Sequence, residues 1–200
     1  MTERYGTKLQ KQCSSASVAI CGLGGLGSNI AFALARAGIG KLILVDFDRV
    51  DVTNLHRQQY KADQIGKCKT QALTENLLEI APYLEVQAIT AHITEKNYTE
   101  LLQDADVICE AFDNAEAKAM LVNAVLETMP HKYLVAASGM AGMGTPNTIR
   151  TRRITKRFYL CGDETSDVAD NAGLVAPRVM LCAAHQAQTV LRILAGEYEV

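Results

Sequence analysis

The stretch Ser17-Val-Ala-Ile-Cys-Gly-Leu-Gly-Gly-Leu-Gly27 decides the fold of this 200-residue chain. Its first five residues are a short apolar run, which is typical of a buried strand. Glycines follow at Gly22, Gly24, Gly25 and Gly27. The Ala-rich segment 28–37 then predicts a helix that ends at Gly38. A glycine-rich turn between a strand and a helix lets the backbone approach a phosphate-bearing ligand at the helix N-terminus.

Predicted strands and helices alternate along the rest of the chain. Strands are predicted at 41–46, 84–89, 107–111 and 133–138, followed by a hairpin at 148–153 and 157–160. Helices are predicted at 69–80, 98–102, 115–129 and 177–194, and a polar, mobile loop at 161–174. This alternation predicts one α/β domain, residues 1–200, with a Rossmann-like, doubly wound, mostly parallel sheet and an antiparallel extension.

The composition argues against several classes of function. Lys and Arg number 20 and Asp and Glu 22, so the net charge of −2 gives no electrostatic basis for binding nucleic acid or a membrane surface. No apolar run is long enough to span a bilayer, and residues 1–15 lack the apolar core of a signal peptide, so we expect a cytoplasmic protein. The six cysteines include no Cys-x-x-Cys pair, which predicts reduced thiols and no zinc.

Polar residues follow the second predicted strand and indicate which ligand the glycine turn binds. Asp46 ends that strand, where a carboxylate accepts hydrogen bonds from ribose hydroxyls. A nucleotide site is therefore favoured over a tight turn without a ligand, although this motif alone does not separate NAD from ATP. Arg57 and Lys69 favour a triphosphate, because two cations that converge on one pocket suit its charge. Each cation is equally open to interpretation as a solvated surface charge.

Asp113 and Asn114 end the strand predicted at 107–111, at the sheet edge where open α/β folds bind ligands. A carboxylate at this edge is a reasonable Mg²⁺ ligand, since Mg²⁺ takes one or two carboxylates together with substrate phosphates. The pair is also a plausible N-cap of the helix that follows. Asp48 and Asp51 have the alternative interpretation of ordinary loop acids.

Five ordered motifs together resemble the ThiF/MoeB/HesA family, which is related to the ubiquitin-activating enzymes. They are Gly22-Leu-Gly-Gly-Leu-Gly-Ser28, Asp46-Phe-Asp48, Asn54-Leu-His-Arg57-Gln58, Gly66-Lys-Cys-Lys69 and Asp113-Asn114. The resemblance covers residues 4 to 194. The runs Glu110 to Lys118 and Ala176 to Gln186 are similar to the short ThiF branch of thiamine biosynthesis.

The resemblance implies an ATP-dependent adenylyltransferase. Its substrate would be the C-terminal Gly-Gly carboxylate of a ubiquitin-like sulfur carrier protein, and a separate protein would donate the sulfur. A homodimer is implied as well. The implied nucleotide site comprises Gly22, Gly24, Gly25, Gly27, Asp46, Asp48, Asn54, Arg57, Gln58, Lys69, Asp113 and Asn114. Within it Asp46 would hold the ribose, Asn54, Arg57 and Lys69 the phosphates, and Asp113 the Mg²⁺.

The chain departs from the family pattern at several positions. Arg4 is a candidate for the arginine that reaches the neighbouring subunit's site, and Lys118 replaces an arginine that many relatives have. Cys161, in the predicted mobile loop, is the candidate thiol for a covalent carrier intermediate, with an inert thiol as the alternative. Four other functions remain open: activation of a molybdopterin-type carrier, modification of a tRNA base, a non-catalytic nucleotide-binding scaffold, and an NAD-dependent oxidoreductase.

Overall fold

The computed structural model describes residues 6–167 and 173–200, which contain seven strands and six α-helices. The strands are β1 Ser17–Cys21, β2 Lys41–Asp46, β3 Glu85–Thr90, β4 Val107–Glu110, β5 Tyr133–Ala137, β6 Arg150–Arg153 and β7 Phe158–Gly162. The helices are α1 Thr7–Ser15, α2 Gly25–Ala37, α3 Lys69–Ile80, α4 Tyr98–Leu102, α5 Ala115–Thr128 and α6 Ala176–Ala195. None of these helices is long and apolar enough to cross a membrane.

All seven strands belong to one sheet in the order β3-β2-β1-β4-β5-β7-β6. Every neighbouring pair is parallel except β6 and β7, which pair antiparallel. The structure therefore confirms the predicted mostly parallel α/β sheet with an antiparallel extension.

Helices cover both faces of the sheet, which is why its central strands are almost continuously apolar. Val18 and Ile20 of β1 pack into the core formed with α2, α3 and α6. Ala19 and Cys21 alternate with them and pack into the second core, formed with α4 and α5. Two cores on opposite faces are the signature of a doubly wound fold.

The strand order reverses between β1 and β4, and this reversal positions the site. The chain runs from β1 outward to β2 and β3, and then returns to β4 and β5 on the other side of β1. Loops leaving the carboxyl ends of β1 and β4 therefore diverge and open a crevice, which is where doubly wound folds bind ligands.

Helix α1 and the end of strand β7 are the main differences from the sequence prediction; the boundaries of the other predicted elements agree within three residues. Helix α1 was not predicted: it is a short, polar segment in which only Cys13 is buried. Strand β7 extends through Cys161 and Gly162, because Cys161 pairs with Ala137 of β5 and Gly162 with Arg150 of β6. The loop predicted at 161–174 therefore begins only at Asp163, and part of it, like Arg4, lies outside the described residues.

Candidate nucleotide-binding site

A cavity of about 670 Å³ opens at the carboxyl edge of the sheet, across the strand-order reversal. It brings together eleven of the residues predicted for the site. They are Gly22, Gly24, Gly25, Asp46, Asp48, Asn54, Arg57, Gln58, Lys69, Asp113 and Asn114. The volume lies within the usual range for small-molecule sites.

The glycines of the β1–α2 turn have different tasks. Gly22 has φ of 91°, a conformation that favours glycine. A Cβ on Gly27 would lie 1.8 Å from the carbonyl oxygen of Gly22, so Gly27 allows close packing and does not line the cavity. A Cβ on Gly24 would meet only Nε2 of Gln58, at 3.8 Å, so the backbone at Gly24 lies open to the cavity.

Asp46 ties the glycine turn to the end of β2. Its Oδ2 accepts a hydrogen bond of 2.6 Å from the amide of Leu23, and its Oδ1 accepts one of 2.7 Å from the amide of Asp48. The side chain is buried at the cavity wall. Each carboxylate oxygen has a second lone pair, so both backbone bonds are compatible with the predicted ribose contact, which stays a prediction.

The segment that carries Arg57 and Gln58 is docked on the same turn by side chains of α2. Asn29 Nδ2 donates to the carbonyl oxygens of Gly25, at 2.6 Å, and Arg57, at 3.1 Å. Ser28 Oγ donates to the carbonyl oxygen of Gly24 and accepts from the amide of Gln59. These hydrogen bonds from α2 hold Arg57, predicted to contact phosphate, beside the glycine turn. The motif spacing did not predict them.

Two buried polar atoms at this wall have no hydrogen-bond partner in the described part of the chain. They are Oε1 of Gln58 and Nε of Arg57. Leaving such a group unsatisfied costs about 1–3 kcal/mol. Both residues line the cavity, so a bound ligand or water can satisfy these atoms.

Lys69 reaches the cavity from the first turn of α3. Its Nζ lies 2.7 Å from Oδ2 of Asp48, and its side chain is 7% exposed whereas that of Asp48 is 46% exposed. A backbone bridge between Arg49 and Cys68 holds the two segments together. Asp48 is thus more than an ordinary loop acid: it neutralises and orients the lysine predicted to contact phosphate.

The sequence left open whether Asp113 and Asn114 cap a helix or bind a cation, and the structure shows that Asn114 is the helix cap. Asn114 caps α5, because its Oδ1 accepts a hydrogen bond of 2.8 Å from the amide of Ala117. Asp113 is exposed and lines the cavity, so its carboxylate is available to a cation. No three His, Cys, Asp or Glu side chains cluster as a metal site within residues 6–167 and 173–200.

An ion pair joins Lys118, which lines the cavity, to the fully buried Glu110 at the end of β4. Nζ of Lys118 donates to Oε2 of Glu110 at 2.6 Å and to the carbonyl oxygen of Ala137 at 2.9 Å. Burial raises the pKa of the Glu110 carboxyl, while Lys118 acts in the opposite direction. The lysine thereby links the ends of β4 and β5 at the cavity wall.

Cys161 does not lie in an exposed loop, so its expected placement is wrong. It is a fully buried residue of β7, and its Sγ is 3.5 Å from Oγ1 of Thr151. Burial raises the pKa of this thiol to about 11, so the thiolate needed for nucleophilic attack is scarce at pH 7. Cys182, in α6, is buried as well.

The sequence analysis missed two parts of the cavity. Phe47 and His92 stack with their ring centroids 3.4 Å apart at the ends of β2 and β3. The segment Ala137 to Ala141, which follows β5, forms the opposite wall. Its run Gly139-Met-Ala-Gly-Met-Gly144, directly after an apolar strand, is the signal that a second glycine-rich turn lies at the same sheet edge.

The fold and the cavity define a doubly wound α/β protein with a nucleotide-type site at the strand-order reversal. The chain belongs to the ThiF family, whose model matches residues 1–200.

Curated relatives and solved structures agree with this assignment. The chain is similar to the sulfur carrier protein ThiS adenylyltransferase of Bacillus subtilis, with 33% identity over 98% of this chain and 62% of the relative. It is similar to the adenylyltransferase and sulfurtransferase UBA4 of Lodderomyces elongisporus, with 27% identity over 98% of this chain and 46% of the relative. It thus spans about half to three fifths of the length of these two relatives. The fold is similar to that of the E. coli tRNA N6-threonylcarbamoyladenosine dehydratase TcdA in complex with ATP, with a TM-score of 0.88, 22% identity and coverage of 98% and 92% of the two chains.

Proposed function

We propose that this protein is a nucleotidyltransferase that uses ATP to adenylate the C-terminal Gly-Gly carboxylate of a ubiquitin-like sulfur carrier protein. The observation that carries the proposal is that an open glycine turn, two cations and an exposed carboxylate line one cavity. The names of the relatives from B. subtilis and L. elongisporus support the same activity.

The half of the cavity over β1 and β2 would hold ATP. The backbone at Gly24 and Gly25 would approach the phosphates, and Asp46 would accept hydrogen bonds from the ribose. Arg57 and Lys69 would neutralise phosphate charge from two sides. Nε of Arg57 and Oε1 of Gln58, which lack partners among the described residues, support the view that a polar ligand completes this wall.

A magnesium ion fits the donor set at the same edge. Mg²⁺ binds one or two carboxylates together with substrate phosphates and water, and Asp113 offers an exposed carboxylate beside the phosphate half. When bound, the ion would neutralise charge on the phosphates that leave as pyrophosphate. Asp113 would hold it on the β4 side of the cavity.

The chemistry demands little acid–base catalysis from the protein. A terminal carboxyl has a pKa of about 3.5, so it is ionised at pH 7 and attacks without a general base. One carboxylate oxygen forms a bond to the α-phosphorus, and the bond from that phosphorus to the bridging oxygen breaks and releases pyrophosphate. Arg57 and Lys69 would contribute by positioning the phosphates and stabilising the developing charge.

We further propose that the carrier is of the ThiS type and serves thiamine biosynthesis; the 33% identical relative from B. subtilis is a ThiS adenylyltransferase. We also propose that the enzyme is a cytoplasmic homodimer that receives sulfur through a separate donor protein and binds no structural zinc. In this dimer Arg4, which lies outside the described residues, would reach the partner subunit's site. Size-exclusion chromatography with light scattering tests the dimer.

Carrier-dependent exchange of pyrophosphate into ATP tests the function. Purified protein, Mg²⁺ and a ThiS-type carrier should catalyse the exchange, and removal of the carrier's last glycine should abolish it. ATP binding without exchange, with both ThiS-type and molybdopterin-type carriers, would instead identify a nucleotide-binding scaffold.

A further inference from the structure

The cavity has a second half, over β4 and β5, whose chemistry differs from that of the nucleotide half. We define it by residues Ala137 to Ala141, Ser166, Asp167, Leu174 and Val179, among which Asp167 is the one charged side chain. Most of these side chains are small or apolar, and Lys118, already paired with Glu110, is the cation beside them. Such a surface suits an extended, uncharged peptide of small residues better than it suits a triphosphate.

Arg178, in the first turn of α6, is buried behind this second half. Its guanidinium donates to the carbonyl oxygens of Ala141, Gly144 and Thr145 at 2.9–3.1 Å. It also donates to Oγ1 of Thr148 at 3.1 Å and to Oδ2 of Asp163 at 2.5 Å. A guanidinium has five N–H donors. Four of these bonds tie it to the segment that follows β5, and the fifth joins it to Asp163, which follows β7.

Asp163 completes the arrangement from the end of β7. Its Oδ1 accepts hydrogen bonds from the amides of Thr165, at 3.0 Å, and Ser166, at 2.8 Å. Oγ of Ser166 in turn accepts from the amide of Ala141 at 2.9 Å. A Cβ on Gly139 would lie 2.1 Å from Oδ1 of Asp163, so glycine is required for the loop to pass this close. One ion pair therefore holds both loops that wall the second half.

Stability alone does not account for such a pair. Burying two charges costs several kcal/mol of desolvation each, and a well-packed apolar pair is often as stable. What an arginine with five fixed bonds does provide is a single loop conformation. The N-terminal turn of α6 also abuts the nucleotide half, since a Cβ on Gly25 would lie 2.9 Å from Cγ1 of Val179.

We propose that Arg178 and Asp163 are positioning residues that shape the second half of the cavity for the terminal peptide of the carrier and leave ATP binding to the other half. This inference rests on the proposed function. According to this inference, the ion pair lowers the KM for the carrier by holding the loop in place. Neither Arg178 nor Asp163 contacts the reacting atoms.

Arg178→Lys tests the inference, because lysine keeps the charge but has three donors where arginine has five. We expect the carrier KM in the exchange assay to rise at least tenfold, while the Kd for ATP and the maximal exchange rate stay within twofold. Asp163→Asn is the second variant and should act in the same direction. The matched control is Arg152→Lys, because Arg152 pairs with Glu164, next to Asp163, but on the surface.

Amide hydrogen exchange gives a readout that needs no carrier. The amides of Ala141 and Gly142 are bonded to Oγ of Ser166 and to the carbonyl oxygen of Gly173. They should exchange at least tenfold faster in the Arg178→Lys variant and at the wild-type rate in the Arg152→Lys variant.

Three outcomes overturn the inference. The first is a carrier KM within twofold of wild type in both variants. The second is an equal rise of carrier KM and ATP Kd, which would indicate general loosening of the fold. The third is unchanged exchange of the two loop amides. If the wild-type protein binds ATP but shows no carrier-dependent pyrophosphate exchange, the proposed function and the carrier assignment are refuted. Amide hydrogen exchange would still decide whether the ion pair holds the loop.

Discussion

Gly24, the N-cap of α2, and Gly27, in its first turn, should respond differently to replacement by alanine. Gly27→Ala should lower the stability of the fold, whereas Gly24→Ala should weaken ATP binding. An added methyl at Gly27 would lie 1.8 Å from the carbonyl oxygen of Gly22 and 3.1 Å from Cγ2 of Ile20. Both neighbours belong to the packed β1 strand and its turn, so the backbone must move by about 1 Å or more. Overpacking of this kind costs about 1–3 kcal/mol. The gain in helix propensity from Gly to Ala offsets at most about 1 kcal/mol of it.

Gly24→Ala is the matched control, because its methyl would meet only Nε2 of Gln58 at 3.8 Å. It replaces an N-cap glycine by alanine, which costs at most about 1 kcal/mol. The methyl would, however, cover backbone that lies open to the cavity, so ATP binding should weaken about tenfold.

Differential scanning calorimetry and titration calorimetry with ATP measure the two effects. For a domain of this size, 1 kcal/mol corresponds to about 2–4 °C in melting temperature. Because the methyl at Gly27 meets backbone atoms, we take the upper end of the cost, about 3 kcal/mol, which leaves about 2 kcal/mol after the propensity gain of about 1 kcal/mol. We therefore expect Gly27→Ala to melt about 4–8 °C below wild type, and Gly24→Ala to melt less far below wild type than Gly27→Ala. The steric reasoning would be refuted if Gly27→Ala melted within 1 °C of wild type. It would also be refuted if Gly24→Ala had the lower melting temperature of the two variants.

Four further changes have expected outcomes. Arg57→Ala or Lys69→Ala should reduce pyrophosphate exchange at least 100-fold with an unchanged melting temperature; unchanged exchange in either variant contradicts its phosphate contact. Asp113→Asn should raise the Mg²⁺ concentration for half-maximal exchange at least tenfold, and a wild-type Mg²⁺ titration would remove it from the metal site. Cys161→Ala should retain exchange but lower the melting temperature, because it empties packed space, whereas loss of exchange in a folded variant would restore a thiol mechanism. Burial alone would raise the pKa of Asp163, but hydrogen bonds from Ser166, Thr165 and Arg178 outweigh it and hold the pKa below its usual value. The stability it contributes is therefore present at neutral pH and lost in acid, so the melting difference between wild type and Asp163→Asn should shrink as pH falls below about 4; a difference that does not depend on pH contradicts this.

The sequence predicted most of the fold because its elements are locally patterned. Strand β2 is confirmed at the predicted residues Lys41–Asp46, and helix α3 at Lys69–Ile80. Strand β2 is a continuous apolar run that ends at an acidic residue, whereas α3 has apolar residues at helical spacing and Pro82 shortly after its end. Helix α1 escaped prediction because it is short and polar, with Cys13 as its one buried residue. The end of β7 escaped because a cysteine and a glycine give no strand pattern, and Cys161 and Gly162 belong to the strand through their pairing with Ala137 of β5 and Arg150 of β6.

The sequence predicted which residues line the site, but it did not predict the hydrogen bonds and ion pairs that hold them in place. Motif spacing identified Arg57 and Lys69, and the structure brings both to one cavity. Their immediate partners, Asn29 for the Arg57 segment and Asp48 for Lys69, depend on loop geometry that spacing does not encode. Arg178 was missed for a similar reason: a single arginine at the start of an apolar helix gives no sign of the loop that it holds.

The central claim is that this chain joins AMP to a carrier carboxylate, and intact mass spectrometry of the carrier tests it most directly. After incubation of purified protein, ATP, Mg²⁺ and a ThiS-type carrier, the carrier should gain the mass of one adenylyl group. That gain should be lost when the terminal glycine is deleted and when Arg57 is replaced by alanine. A carrier whose mass is unchanged while ATP occupies the cavity would contradict the account.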